Sequence, residues 1–134
     1  MLDAAQGSSL SVTSLLDPQV IASAGTVVSP SGRWVDMDQF EGYVDFIVSL
    51  GTLTDTSVTV TLESSDSATG SSPVASSYTV PAAGAVLAAS SPGQFSLLLP
   101  SGAFAKRYVG ASVVTAGAGN CPISIVAVGG LRTP

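Results

Sequence analysis

The sequence predicts an all-β fold, an antiparallel β-sandwich or jelly roll with an extended N-terminal arm. The composition favours strands, because 46% of the residues are hydrophobic while only 10% are charged. Val and Thr, whose branched side chains fit a pleated sheet, are abundant. Short segments of alternating apolar and polar residues also recur along the chain between turns rich in Gly, Pro and Ser. This spacing is typical of β-sandwiches and jelly rolls.

The 134 residues are enough for one domain with its own core. Residues 1–25 are small and polar, show no sustained period and contain the turn pair Asp17-Pro18. They therefore predict an extended arm. A single sandwich domain is expected over residues 26–134, and its first short strand is expected at 25–28.

Two segments, 41–50 and 57–63, carry the clearest strand pattern. The apolar residues that share one face are Val44, Phe46, Val48 and Leu50 in the first segment, and Val58, Val60 and Leu62 in the second. One buried and one polar face indicate antiparallel sheets, and residues 51–56 predict a hairpin between the two strands. A long loop is expected at 64–77. Further strands are expected at 78–80, 85–88, 94–99, 107–115 and 123–128.

The residues do not predict an enzyme. The chain contains no histidine, which removes the Ser-His-Asp and Cys-His arrangements and most zinc sites. Lys106, the only lysine, is interpreted as a solvated charge that opens a strand. Cys121 is alone and is interpreted as a small buried residue ahead of the last strand.

Two groups of carboxylates are close enough in sequence to be weighed as calcium sites through their oxygen atoms. They are Asp36, Asp38 and Glu41 in one group, and Glu63 and Asp66 in the other. Neither group has the ligand spacing of a known calcium loop. We therefore predict no metal and no cofactor.

The charge balance argues against two classes of partner. Four basic residues against nine acidic ones give a net charge of -5, whereas nucleic acids and anionic membranes attract clustered Lys and Arg.

There is no apolar run of about 18 residues, and the N-terminus does not resemble a signal peptide. Synthesis in a cytoplasm is expected.

Four residues are predicted to lie in an interface. Trp34 and its neighbour Arg33 are of types enriched at binding hot spots, although Trp34 has the alternative of a core lid at the end of the sandwich. Arg107 can stay hydrated where a strand begins, while Tyr108 packs its ring and keeps its hydroxyl wet.

Three segments carry a resemblance to a known family. They are Leu-Glu-Ser-Ser-Asp at 62–66, Leu-Pro-Ser-Gly at 99–102 leading into Lys-Arg-Tyr-Val at 106–109, and a valine-rich strand at 123–128. Together they resemble the small capsid cement or decoration proteins of tailed bacteriophages, in particular those similar to the cement protein of a Bordetella phage. The resemblance covers about residues 40–130 and its motifs are loose.

The resemblance implies a jelly roll that binds the outside of an icosahedral head and stabilises it by bridging major capsid subunits. Such proteins act as homo-oligomers, dimers or trimers, and carry no catalytic residues. The expected location is the capsid exterior of a virion, after synthesis in the host bacterial cytoplasm. We expect residues 1–25 and the Arg33–Trp34 region to contact the major capsid protein or a sister subunit. The alternative is a receptor- or glycan-binding sandwich module of a phage tail fibre or spike, because one fold hosts many functions.

Overall fold

In a computed structural model the chain is described over residues 10–22, 24–53, 56–80 and 93–131, and these residues form nine strands and one short 3-10 helix. The strands are β1 (Leu10–Ala22), β2 (Gly25–Val28), β3 (Val35–Asp36), β4 (Phe40–Leu50), β5 (Thr56–Ser65), β6 (Val74–Val80), β7 (Gly93–Pro100), β8 (Tyr108–Gly117) and β9 (Asn120–Leu131). The helix is Met37–Gln39. Within these ranges no helix is long and apolar enough to cross a membrane.

The strands form two antiparallel sheets. Sheet A has the order β1-β9-β4-β7, and sheet B has the order β2-β8-β5-β6, with β3 pairing with β8 as β2 does. When β2 and β3 are taken as one interrupted strand, every connection except β5 to β6 passes from one sheet to the other. This is the arrangement of an eight-stranded jelly roll, and the predicted fold class is confirmed.

The core lies between the two sheets and is built from alternate residues of their strands. All the inward residues predicted for β4 and β5 are buried. Phe46 packs edge-to-face against Phe104, with 5.6 Å between the ring centroids. Burial of each large apolar side chain contributes about 1.5–3 kcal/mol to folding. Cys121 also lies in this core, as predicted.

The predicted hairpin over residues 51–56 is wrong. β4 lies in sheet A and β5 lies in sheet B, so this connection crosses between the sheets. Leu53 within it is fully buried, and the Gly51 N–H donates to the Pro122 carbonyl of β9 at 3.0 Å. Alternation identifies the buried face of a strand but not its partner, because both sheets present their apolar faces to the same core.

The predicted boundary between arm and domain at residue 25 is also corrected, because Leu10–Ala22 is a strand of sheet A. β1 pairs with β9 along its length, and the adjacent residues Leu15 and Leu16 are both buried. The register shifts twice in the middle of β1, and such irregularities change which face the following residues occupy. The strand therefore shows no sustained period in the sequence. Residues 1–9 lie outside the described ranges.

The polar loop predicted at 64–77 is shorter than expected. β5 continues through Ser65, and β6 begins at Val74 and includes the strand predicted at 78–80. The strand predicted at 85–88 lies outside the described residues.

Candidate interaction surfaces

Arg107 and Tyr108, two of the predicted interface residues, lie beside β3 where β8 begins. Arg107 donates to both carboxylate oxygens of Asp36, at 2.9 and 2.8 Å, and its Nε lies 3.3 Å from the Asp38 carboxylate. The guanidinium also lies 5.2 Å from the centroid of the Tyr108 ring. The hydrogen bonds from Arg107 lower the pKa of Asp36. Since 51% of the Arg107 side chain is exposed, a partner can reach this cluster.

Arg33 joins an edge of sheet A to an edge of sheet B. Its Nε and Nη2 donate to the Asp17 carboxylate at 2.9 to 3.2 Å, and the Ser14 hydroxyl donates to the same carboxylate at 2.7 Å. The hydrogen bond from Arg33 is the main cause that lowers the pKa of Asp17, and the hydrogen bond from Ser14 is the second. Both partners of the ion pair are exposed, so the pair contributes little to the stability of the fold.

Trp34 is buried, with only 7% of the residue exposed. Its indole N–H donates to the Ser29 carbonyl at 2.9 Å. The ring packs between two glycines: a Cβ on Gly110 would lie 2.7 Å from it, and a Cβ on Gly70 would lie closer still. Because Gly110 occupies an outward position of β8, Trp34 is a lid that covers the outer face of sheet B. Its ring leaves little surface for a partner.

The four predicted residues therefore gather around the β3–β8 end of sheet B. Asp36, the ligand of Arg107, lies opposite Tyr108 in the register of β3 and β8. Arg33, Arg107 and Tyr108 are at least partly exposed, whereas Trp34 supports the surface from beneath. Their contact with a partner stays a prediction.

Three of the five carboxylates weighed as calcium ligands are paired with basic side chains. Asp36 and Asp38 bind Arg107, and the Asp66 carboxylate lies 3.5 Å from the Lys106 Nζ. Among the residues that the structure describes, no group of three or more His, Cys, Asp or Glu side chains is placed to hold a metal ion.

The outer face of sheet A carries an apolar surface that the sequence analysis did not identify. One row of the register crosses all four strands through Val12, Val128, Asp45 and Leu98. In this row Val12 is 69% exposed and Leu98 is 62% exposed. The apolar side chains of this surface, called the sheet A patch below, are Leu10, Val12, Tyr43, Ile47, Leu98, Val126 and Val128. Contiguous apolar patches on a protein surface mark interaction sites.

The signal for this patch was present in the sequence. Ile47 breaks the alternation of β4, and Val126 and Val128 occupy positions of β9 that would be polar in a sheet with one solvated face. Asp45 lies within the patch and accepts a hydrogen bond from the Ser96 hydroxyl.

An open groove of about 500 Å³ lies at the other end of the same face. Pro18 and Val20 of β1 form one side, and Leu50 and Pro122 are among the residues opposite. None of the described residues that line the groove is charged. The patch and the groove together suit the apolar surface of another protein better than a small charged ligand.

The outer face of sheet B has a different character. Its outward positions on β5 and β8 include Ser57, Thr59, Thr61 and Ser112, and its exposed apolar residues include Val114 of β8 and Val28 of β2. A face of small hydroxyl side chains remains well hydrated. Sheet A therefore carries the better docking surface of the two.

No family model matches the sequence, and no curated protein matches it. Solved structures match it in fold. A chain from the T13 particle of infectious bursal disease virus is 14% identical, with a TM-score of 0.54 over 91% of this chain and 31% of that chain. A chain from the Gx strain of this virus is 14% identical, with a TM-score of 0.49 over 89% and 32%. The present chain thus spans about a third of the length of these chains, and the first likeness shows that it shares the fold of that third of a chain from a viral particle.

Proposed function

We propose that this protein is a structural virion protein, a capsid cement or decoration protein. In this role it binds the outer surface of an icosahedral phage head and stabilises the head by bridging major capsid subunits. The observation that carries the proposal is the jelly roll, which nearly the whole chain shares with a chain of a viral particle. Jelly rolls recur in viral capsid domains. The resemblance of residues 40–130 to phage cement proteins supports the same role.

The sheet A patch supplies the proposed capsid contact. Four strands about 4.8 Å apart, with 11 residues in β4 at about 3.3 Å each, give a face of about 700 Å². A specific interface of ordinary size uses about 800 Å² of each partner. The outer face of sheet A is therefore large enough to bind a capsid subunit. Arg33, Arg107 and Tyr108 would then serve as polar contacts to a sister subunit or a second capsid subunit.

The receptor- or glycan-binding alternative has less support. A glycan platform needs two or three coplanar aromatic rings, whereas Tyr43 is the one exposed aromatic among the side chains of the described ranges other than 76–80. The apolar character of the patch also favours a protein partner.

The first test is the copy number of the protein in purified phage particles, measured by quantitative mass spectrometry against the major capsid protein. Hundreds of copies in a simple ratio to the shell subunit support the proposal. A handful of copies would assign the protein to the tail, and absence from particles would contradict a virion role.

The second test uses heads that lack this protein, to which purified variants are added before sedimentation. Val12→Lys places a charge in the sheet A patch, and Val114→Lys is its control on the outer face of sheet B, where Val114 is 48% exposed. We expect Val12→Lys to weaken head binding at least about tenfold, because an unpaired charge is buried in the interface, while Val114→Lys binds like the wild type. Equal binding by both variants would exclude the patch.

A further inference from the structure

Three of the four sheet edges in the described chain are obstructed. β1 has two register shifts and contains Asp17-Pro18, β2 has only four residues, and the register of β6 shifts against β5. Bulges, prolines, charges and short strands all discourage edge-to-edge pairing. β7 has none of these features before its last residue, Pro100: it pairs with β4 in continuous register over Gly93–Pro100 and carries no charge. No strand in the described ranges pairs with its other side.

Two hydrogen bonds at the ends of β4 establish which way the peptide groups of β7 point. The Ser101 N–H donates to the Gly42 carbonyl at 2.8 Å, so the even-numbered residues of β4 bond to β7. The bond from the Gly51 N–H to the Pro122 carbonyl agrees, since it points the odd-numbered residue that directly follows β4 toward β9. Peptide groups alternate in direction along a strand. The odd-numbered residues of β7 therefore bond to β4, and its even-numbered residues point outward.

We propose that two copies of this protein pair through β7, antiparallel and across a two-fold axis, and so join two copies of sheet A into one eight-stranded sheet. The outward N–H groups belong to Gln94, Ser96 and Leu98. With the axis at Ser96, Ser96 lies opposite its own copy and Gln94 lies opposite Leu98. All three N–H groups of each copy then donate to a carbonyl of the other. On the inward face Phe95 lies opposite Leu97, so the apolar core continues across the axis.

A second copy fits this edge for two reasons. In the described chain β7 is the unobstructed edge, so a second copy presents the same open edge. Two-fold pairing of identical edges is self-complementary. The pairing also avoids the repulsion expected from a net charge of -5. The two Asp45 carboxylates would lie three strand spacings apart, at least about 14 Å, which exceeds the Debye length of about 8 Å at physiological salt. The inference deepens the self-association part of the proposed function and does not depend on capsid attachment.

Analytical ultracentrifugation of the wild type, Ser96→Pro and Ser96→Ala tests the proposal without particles, so its result is separate from that of the head-binding test. Both variants lose the hydroxyl that donates to Asp45. Only Ser96→Pro loses the outward N–H, and it leaves the bonds to β4 in place. We expect the wild type and Ser96→Ala to be dimers, and the dimer Kd of Ser96→Pro to rise at least about tenfold. A monomeric wild type, or a Ser96→Pro dimer as tight as that of Ser96→Ala, overturns the proposal.

Amide hydrogen exchange of the wild type gives a second measurement that needs no variant. We expect the amides of Gln94, Ser96 and Leu98 to be protected at concentrations where the dimer forms and to exchange rapidly on dilution. Those of Phe95 and Leu97, which bond to β4, are expected to stay protected at both concentrations. Rapid exchange of the outward amides in the dimer, or their protection in the monomer, contradicts the pairing.

Discussion

Replacing Gly110 with Ala tests the packing of Trp34 on the outer face of sheet B. The added Cβ would lie 2.7 Å from the indole Cδ2 and Cε2 and 2.9 Å from Cε3. Carbon atoms in good contact lie about 3.5–4.0 Å apart. The ring has little room to move outward, because Gly70 lies against it and the indole N–H is bonded to the Ser29 carbonyl.

Overpacking of this kind costs about 1–3 kcal/mol. For a chain of this length a loss of about 2 kcal/mol lowers the Tm by about 6–10 °C. Gly25→Ala is the matched control. Gly25 lies on β2, which pairs with the strand that contains Gly110, and a Cβ at Gly25 meets nothing within 4 Å. Its stability is expected to be unchanged or raised by up to about 1 kcal/mol, since Ala restricts the unfolded chain.

Thermal unfolding followed by circular dichroism measures the loss. Trp34 is the only tryptophan of the chain, so its fluorescence reports on the same contact, and we expect its emission to shift to longer wavelength in Gly110→Ala. In a Trp34→Ala background the substitution at residue 110 should cost almost nothing, because its partner is gone. Equal stability of Gly110→Ala and Gly25→Ala, or an undiminished cost in the Trp34→Ala background, would refute the packing.

Two further predictions concern half-buried and buried titratable groups. Partial burial raises the pKa of Glu63 above its ordinary value of 4.5, so the folded chain binds this proton more tightly than the unfolded chain, and stability falls as pH rises above that value. Glu63→Gln is therefore expected to raise the Tm at pH 7 and to change it little at pH 3; a lower Tm at pH 7 would contradict this. Burial also raises the pKa of the Cys121 thiol, so a thiol reagent at pH 8 is expected to modify the protein only after unfolding in urea. Rapid modification of the folded protein would show that the thiol is accessible.

The strands were predictable where one face is buried and the ladder is regular. β4 and β5 have an apolar residue at every second position because their register against a neighbour continues for most of their length. β1 escaped prediction because its register shifts bury Leu15 and Leu16 together. The pairing of strands was not predictable from alternation, since a strand of sheet A and a strand of sheet B show the same pattern.

The surroundings of the predicted interface residues were predictable only in part, and their contact with a partner stays a prediction. Arg33 and Arg107 are exposed, as expected of interface residues, but each is held by a carboxylate that is distant in sequence. Trp34 became a lid because the fold places Gly110 beneath its ring, which no local pattern indicates. The sequence signals apolar outward positions in β4 and β9 singly, but the sheet A patch requires β1, β9, β4 and β7 to lie side by side, so its extent is known only once the order of the strands is known.

The two proposed surfaces of sheet A reinforce each other. A two-fold axis perpendicular to a sheet keeps each face of the sheet on one side. Pairing of β7 would therefore place both copies of the sheet A patch on the same side of an eight-stranded sheet. The outer face of sheet A, which carries the patch, would double to about 1,400 Å², while the outer faces of sheet B would point to solvent. Such a dimer could contact two capsid subunits at once, which is the geometry that bridging requires, and its affinity for a head would exceed that of either half because the second contact is intramolecular.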